Sequence, residues 1–376
     1  MREKVKLKIT TLTPVTIGSG AELSPYSDYV IIGKQVCFID KKKMQDLILQ
    51  KGEKYFDLFV EGVATKMDNN RSDFDLKSFL TNNQLVKNLD DVISYRCPFV
   101  GNTESKLPVK GLLKSPLQEP YFPGSSIKGA LKTVLMYNWL KTNKNAEQKI
   151  KEVISGREIE KDGIKKRVPV GFEWLEKKFE CIVNERNELM HTNTIQQVTD
   201  SSRIAKENIV VVDCYRKMPI RFECIAKNNT AEFELTLENY QWVDLARQAN
   251  KYVEEVFEKE FDLIEKQQGM NKYFNHLADI EDLVLNKNKN IAILRLGFGK
   301  GYYLNSLGIA VCDYVKQEGK EDLYIRFEEF INNQFAKRDK YGNLQEIDLE
   351  EFPKTRLFIT NTQEPLGWVK IEKISN

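Results

Sequence analysis

Pro123-Gly124-Ser125-Ser126-Ile127-Lys128-Gly129-Ala130-Leu131-Lys132 opens the best specified helix of this chain. Ile127, Ala130, Leu131, Val134 and Leu135 recur at helical spacing, so one face is apolar from the first turn. A helix that starts directly after a glycine presents backbone N–H groups without intrahelical partners. Those groups carry partial positive charge and suit a phosphate. Ser125 or Ser126 supplies a cap or a hydroxyl donor, and Lys128 and Lys132 lie one turn apart on one face. An ordinary serine N-cap with exposed lysines fits this segment equally well.

A second glycine-rich turn, Leu296-Gly297-Phe298-Gly299-Lys300-Gly301-Tyr302-Tyr303, lies far downstream. Its three glycines in five positions allow left-handed or closely approached backbone. Lys300 adds charge, and Phe298, Tyr302 or Tyr303 could stack a base, although core packing is the commoner use of any one ring. Gly18-Ser19-Gly20, after Pro14-Val15-Thr16-Ile17, reads as a third glycine turn. None of the three is a nucleotide loop. Gly124 and Gly129 have P-loop spacing, but Ala130 and Leu131 follow where Lys and Ser/Thr belong. Gly297, Gly299 and Tyr302 fail the third position of G-x-G-x-x-G.

Of the 376 residues, 41% are apolar and 30% charged, which supports a core in one or two domains. No run of about eighteen apolar residues occurs, so no membrane span is expected. Met1–Lys6 leads into a strand pattern without an apolar leader, and the expected location is cytoplasmic. The net charge of +2 does not announce a polyanion partner, but its distribution is uneven. Ser105–Asn145 holds seven lysines, Lys110 and Lys114 among them, against the single acid Glu119. Asn286–Cys312 holds Lys287, Lys289, Arg295 and Lys300 and no acid. Both long glycine-rich turns therefore sit in one-sided basic stretches, which matter more for polyanions than total charge.

Around these turns the chain mixes strands and helices. Val5, Leu7 and Ile9 alternate with Lys6, Lys8 and Thr10 as a half-buried strand. Val30–Ile32 and Val36–Ile39 flank Gly33 as a hairpin. Asp40 caps a helix carrying Met44, Leu47 and Ile48 on one face. Helical patterns follow around Tyr55–Thr65 and Phe74–Val86, then an extended Val92–Phe99. Val100–Phe122 reads as a long loop. Lys141–Val168, rich in lysine and glutamate, reads as an exposed insertion and as the seam between modules at 1–168 and 169–376. Strands are expected at Ile209–Val212, Ile220–Ile225 and Glu232–Leu237, and a helix from about Tyr240 to Lys266. A strand at Ile291–Leu294 leads into the second glycine-rich turn, and an extended pair, Leu357–Thr360 and Trp368–Ile371, closes the chain. Neither half gives a regular βαβα series. The fold class is α+β with mainly antiparallel sheets, and a tandem ferredoxin-like, RRM-like arrangement is compatible.

Catalytic chemistry is poorly supplied. Only two histidines are present, His191 in a polar stretch and His276 in a helical pattern, and neither joins a Ser–His–Asp set. Metal-independent RNA cleavage wants a histidine to move a proton at neutral pH. Metal-dependent cleavage wants clustered carboxylates, and Asp200 and Asp213 stand as singles, Asp200 as a turn or cap residue. Cys37, Cys97, Cys181, Cys214, Cys224 and Cys312 form no CxxC pair and read as buried free thiols rather than a zinc site. No cofactor, metal site or catalytic residue is expected.

Thr13–Gly20, Tyr121–Lys132, Thr199-Asp200-Ser201 and Leu296–Tyr303, in that order, resemble the RAMP superfamily of CRISPR proteins. Glu22–Val30 and Pro365-Leu366-Gly367-Trp368-Val369 resemble the fifth Csm-family subunit of type III-A effector complexes. The resemblance implies tandem ferredoxin-like (RRM-like) modules with helical insertions, the glycine-rich loops lining a groove for crRNA. It implies a non-catalytic subunit that caps the crRNA 3′ end and packs on the repeating backbone RAMP subunit. It also implies a need for the subunit in crRNA 3′ maturation through recruited host nucleases, in antiviral defence. The RNA-binding residues expected are Gly18, Ser19, Gly20, Lys110, Lys114, Gly124, Ser125, Ser126, Lys128, Lys132, Gly297, Gly299, Lys300, Gly301 and Tyr302. Thr16 stands where many relatives have histidine, which removes an acid–base group. Lys132 stands where arginine is common, which keeps charge but loses bidentate geometry. An endoribonuclease of the same superfamily, using His191 or His276, is the enzyme alternative, and a protein scaffold that never touches RNA is the third.

Overall fold

The computed structural model describes residues 2–69, 74–142, 146–161, 164–168, 181–183, 189–191, 194–215, 218–285, 289–299, 307–338, 341, 344–352 and 356–374. The chain opens with β1 (Arg2–Thr11), β2 (Gly18–Leu23), β3 (Tyr29–Ile32) and β4 (Gln35–Ile39). Helices α1 (Lys41–Lys51), α2 (Glu53–Asn69) and α3 (Leu76–Asn82) follow, then β5 (Ile93–Val100) and β6 (Val109–Leu112). After α4 (Gly124–Thr142) and α5 (Ala146–Ser155) come two hairpins, β7 (Arg157–Lys161) with β8 (Ile164–Val168) and β9 (Cys181–Val183) with β10 (Leu189–His191). Next are β11 (Ile195–Val198), β12 (Ile209–Tyr215), β13 (Pro219–Ile225) and β14 (Thr230–Glu238). The last third holds α6 (Trp242–Glu265), α7 (Asn271–Leu285), β15 (Ile291–Arg295), α8 (Gly308–Val315) and α9 (Glu321–Phe335). A short pair, β16 (Lys337–Arg338) and β17 (Leu344–Gln345), precedes β18 (Phe358–Ile359) and β19 (Trp368–Lys373).

Five strands form the first sheet in the order β11-β14-β1-β19-β15, antiparallel throughout. The alternation of β1 determines its two faces. Val5, Leu7 and Ile9 are buried in one cluster with Ile127 and Leu131 of α4 and Leu245 and Val253 of α6, while Lys4 and Lys6 face outward. The path β1–α4–β11–β14–α6–β19 is a ferredoxin-like unit, with β15 added beyond β19.

The second sheet runs β2-β6-β13-β12-β5-β4-β3, with β18 also paired to β12. The helical insertion α1–α3 covers its β3–β4 end, where Met44, Ile48, Leu76 and Leu80 pack on Val30, Cys37 and Ile39. Asp40 caps α1 as expected, accepting from the Lys43 N–H at 3.1 Å. Both sheets draw strands from either side of 168/169: β1 joins four later strands, and β2–β6 join β12, β13 and β18.

Three local expectations are corrected. The stretch Val100–Phe122 is not loop throughout, because it contains β6, held between β2 and β13. Both neighbours of β6 are distant in sequence, so no local signal marks it. The stretch Lys141–Val168 is not a purely exposed insertion, since Ile150, Val153 and Ile154 of α5 are buried in the main core. Gly18-Ser19-Gly20 is not a turn but the start of β2, bulged against β6 between Gly18 and Glu22. Both segments of the closing extended pair are strands as expected, β18 pairing with β12 and β19 with β1 and β15. Cys37, Cys97, Cys214, Cys224 and Cys312 are buried free thiols, and burial pushes Cys97 up to about 12. The side chain of Cys181 lies outside the described residues.

Candidate nucleic-acid interface

Thr13–Ile17, between β1 and β2, is where the two sheets meet. The Trp368 N–H donates to Thr13 Oγ1 (3.0 Å) and the Gly367 N–H to the Pro14 carbonyl (2.9 Å). Val15 exchanges two backbone hydrogen bonds with Ile225 of β13. The Phe298 N–H donates to the Thr16 carbonyl (2.9 Å), and the Leu113 N–H donates to the Ile17 carbonyl (2.8 Å). Gly297, which follows β15 closely, is thereby pressed onto Thr16. Its φ is +69°, and an added Cβ would stand 1.9 Å from the Thr16 carbonyl oxygen, so only glycine fits. Glycine segments at opposite ends of the chain, Gly18–Gly20 and Gly297–Gly299, are thus brought to one junction. Lys300, Gly301 and Tyr302 lie outside the described residues.

The first glycine-rich turn is organised differently. Gly124 lies against the strand β11, where a Cβ would meet the Val198 carbonyl oxygen at 2.3 Å. Its N–H donates to Asp200 Oδ1 at 2.8 Å, and the Ser126 and Ile127 N–H groups donate to the Pro123 carbonyl at 3.0 and 3.2 Å. Asp200 is therefore a cap supplied from outside the helix, and its carboxylate fills the position a phosphate was expected to take at Gly124. The bare fan of N–H groups is corrected to a largely occupied one. Ser125 stays exposed and Ser126 half-buried. Lys128 reaches the Gln196 carbonyl at 3.3 Å, and Lys132 is half-buried one turn on. This helix start is joined to the junction by the short hairpin in which Lys114 bridges Pro120.

The two lysines at β6, Lys110 within the strand and Lys114 just after it, differ from one another. Lys110 is half-buried, its side chain reaches solvent, and it pairs there with Glu22 across the strands. Lys114 is not a surface cation. Its Nζ contacts both oxygens of Glu223 (2.9 and 3.0 Å) and the Tyr95 hydroxyl (2.7 Å), and Glu223 is fully buried. The Tyr95 hydroxyl and the Leu112 N–H also donate to that carboxylate. Lys114 therefore balances a buried charge at the floor of a cleft of about 340 Å³ lined by Ser19, Gly111 and Gln118. Glu223 and Arg221 were not singled out from sequence, although two charges alternating within the apolar run Ile220–Ile225 are the signal that marks them. Arg221 holds Asp213 through two bonds (2.6 and 2.9 Å), donates to the Tyr29 hydroxyl and lies over the Phe99 ring. Asp213 is a buried ion-pair partner.

RRM-type sheets stack bases on rings of their open face. Here that face of the first sheet carries cross-strand ion pairs, Lys4–Glu234 (2.8 Å), Lys6–Glu232 (2.6 Å) and Lys8–Glu372 (2.7 Å). Its charge is internally matched, so the sheet junction is the stronger candidate. His276 is half-buried on α7, and the side chain of His191 lies outside the described residues. Among the described residues no three His, Cys, Asp or Glu side chains group as a metal site, and no helix is long and apolar enough to cross a membrane.

Comparison with known proteins agrees with this architecture. A "CRISPR system Cms protein Csm5" of Methanocaldococcus jannaschii is 26% identical, over 98% of this chain and 88% of the relative. The Streptococcus thermophilus protein of the same name is 29% identical over 37% of this chain and 39% of its own length. Among solved structures, a chain of a Csm–crRNA–target RNA ternary complex from a type III-A CRISPR-Cas system superposes with a TM-score of 0.65 at 17% identity, covering 98% of this chain and all of that one. Csm5 of T. onnurineus superposes with a TM-score of 0.56 at 17% identity, covering 96% and 99%. The RAMP superfamily model matches residues 8–304, from β1 through the second glycine-rich turn, and the chain belongs to the RAMP superfamily.

Proposed function

We propose that this chain is a crRNA-binding subunit of a type III-A CRISPR effector complex that does not itself cut RNA. The observation that carries the reading is the convergence of Gly18–Gly20 and Gly297–Gly299 on Thr16 and Ile17, with Lys110 on the neighbouring strand. Backbone N–H groups at close approach and lysines hold phosphates without reading bases. Gly18, Ser19, Gly20, Lys110, Gly297 and Gly299 form the core of the site, extended by Lys300, Gly301 and Tyr302. Ser125, Ser126, Lys128 and Lys132 form its second contact, with Gly124 and Lys114 serving as its structural supports. The similarity to proteins named Csm5 supports the place in the complex. In this reading the subunit caps the crRNA 3′ end, packs on the repeating backbone RAMP subunit in the cytoplasm, and directs 3′ trimming by recruited host nucleases.

Purification of the tagged chain from its host tests this. The expected result is co-purification of the other Csm subunits with crRNA of defined 3′ length, and longer RNA in complexes lacking this chain. Recovery without RNA or Csm partners, or metal-independent cleavage of repeat RNA lost in a His191→Ala variant, would overturn it.

A further inference from the structure

Phe298 is a large aromatic side chain left 41% exposed between two glycines in left-handed backbone, Gly297 at φ +69° and Gly299 at φ +107°. Its backbone is fixed, because its N–H bonds the Thr16 carbonyl and Gly297 has no room to shift. Only that N–H is needed to close the junction, so the fold does not call for a ring at this position. The ring rests on Phe222, with centroids 4.9 Å apart and planes inclined by 42°. Phe222 itself is buried in the cluster formed with Val212, Cys214 and Leu366. Phe298 is therefore held by the main chain, supported by a buried ring beneath, and open to solvent on its remaining surface.

The charge beside it matches the same ligand. Phe222 is the register partner of Lys110 across the parallel pair β13–β6, and parallel partners project to one sheet face. Lys110 in turn is the register partner of Glu22 on the bulged edge strand β2 and pairs with it in solvent. An exposed ion pair of this kind contributes about 0–1 kcal/mol, so its lysine is readily given up to a phosphate. A rigid exposed ring with an exchangeable lysine one strand away is the combination that holds one nucleotide of a single strand, base on ring and phosphate on cation.

We infer that Phe298 is a base-stacking residue, taking one unpaired nucleobase of single-stranded RNA at the sheet junction. The inference rests on the RNA-binding reading above and adds a sequence-tolerant contact to its phosphate contacts. Stacking of this kind is worth about 1–3 kcal/mol per base, or about a 5- to 150-fold change in affinity.

The test uses the full chain and single-stranded RNA carrying 2-aminopurine at successive positions. Wild type is expected to bind with salt-dependent affinity and to quench 2-aminopurine at one position. Phe298→Ala and Phe298→Leu are expected to lose at least fivefold in affinity and the quench, with the salt slope unchanged, and Phe298→Trp to retain both. Phe298→Leu keeps an apolar contact on Phe222, so it separates lost stacking from a displaced loop. Salt-dependent wild-type binding with both variants within twofold overturns the stacking role and leaves the phosphate reading standing. A wild-type chain without RNA affinity overturns both.

Discussion

Gly297→Ala probes the junction at which the two sheets meet. Two terms set its cost. A non-glycine residue at φ +69° costs about 1–2 kcal/mol. The new methyl would stand 1.9 Å from the Thr16 carbonyl oxygen, so the loop must lift and the Phe298–Thr16 hydrogen bond is lost, at about 1 kcal/mol. The sum is about 2–3 kcal/mol of destabilisation. Gly129→Ala is the matched control, because it lies within α4 and an added Cβ meets nothing within 4 Å. There alanine gains about 0.5–1 kcal/mol of helix propensity. Urea unfolding with unchanged slope reads both values as midpoint shifts of opposite sign. Because the loop carries Phe298, Gly297→Ala also lowers RNA affinity, while Gly129→Ala leaves it unchanged. A Gly297→Ala midpoint within about 0.5 kcal/mol of wild type would refute the claim that the loop is locked onto Thr16.

Other outcomes follow from the same geometry. Lys128→Ala with Lys132→Ala lowers RNA affinity about equally for all sequences and reduces the salt slope by about 2, read in a salt titration. Lys114→Ala leaves the buried Glu223 carboxylate without its cation and destabilises the protein by about 3–5 kcal/mol. By contrast, Lys110→Ala stays within about 0.5 kcal/mol because its pair is exposed, and urea unfolding separates the two. Glu255 of α6 faces Tyr137 and Lys141 of α4, Glu258 and Lys259 of its own helix, and Asp313 of α8. Burial first, then Asp313 and Glu258, raise its carboxyl from the ordinary 4.5 to about 7. The folded state favours the protonated form, so that contribution is full below about pH 4.5 and lost as pH rises through about 7. Glu255→Gln therefore flattens the melting temperature between pH 5 and pH 8, and an unchanged profile would count against the shift.

Elements with a local period were legible from sequence. Val5, Leu7 and Ile9 gave β1, the Asp40 cap gave α1, and the apolar stripe from Ile127 gave α4. What escaped depends on partners distant in the chain. β6 is four residues among prolines and lysines, and becomes a strand because β2 and β13 flank it. Gly18–Gly20 carries turn composition but is held as a bulged strand by β6. For the site, residue type indicated the glycine contacts but not the state of their donors. Asp200 lies 76 positions from the N–H it accepts, and Glu223 lies 109 positions from the Lys114 that neutralises it. Nothing local distinguishes Lys114, which balances a buried charge, from Lys110, which meets solvent.

Photo-crosslinking of the intact complex to its own RNA, followed by peptide mapping, locates the RNA relative to the sheet junction. Nucleotide adducts are expected on the segment Thr13–Leu23 and on the segment Ile291–Tyr303, with Phe298 among the modified residues. Adducts confined to the outer face of β1, β14 and β19, or absent from this subunit while its neighbours are labelled, would contradict an RNA site at that junction.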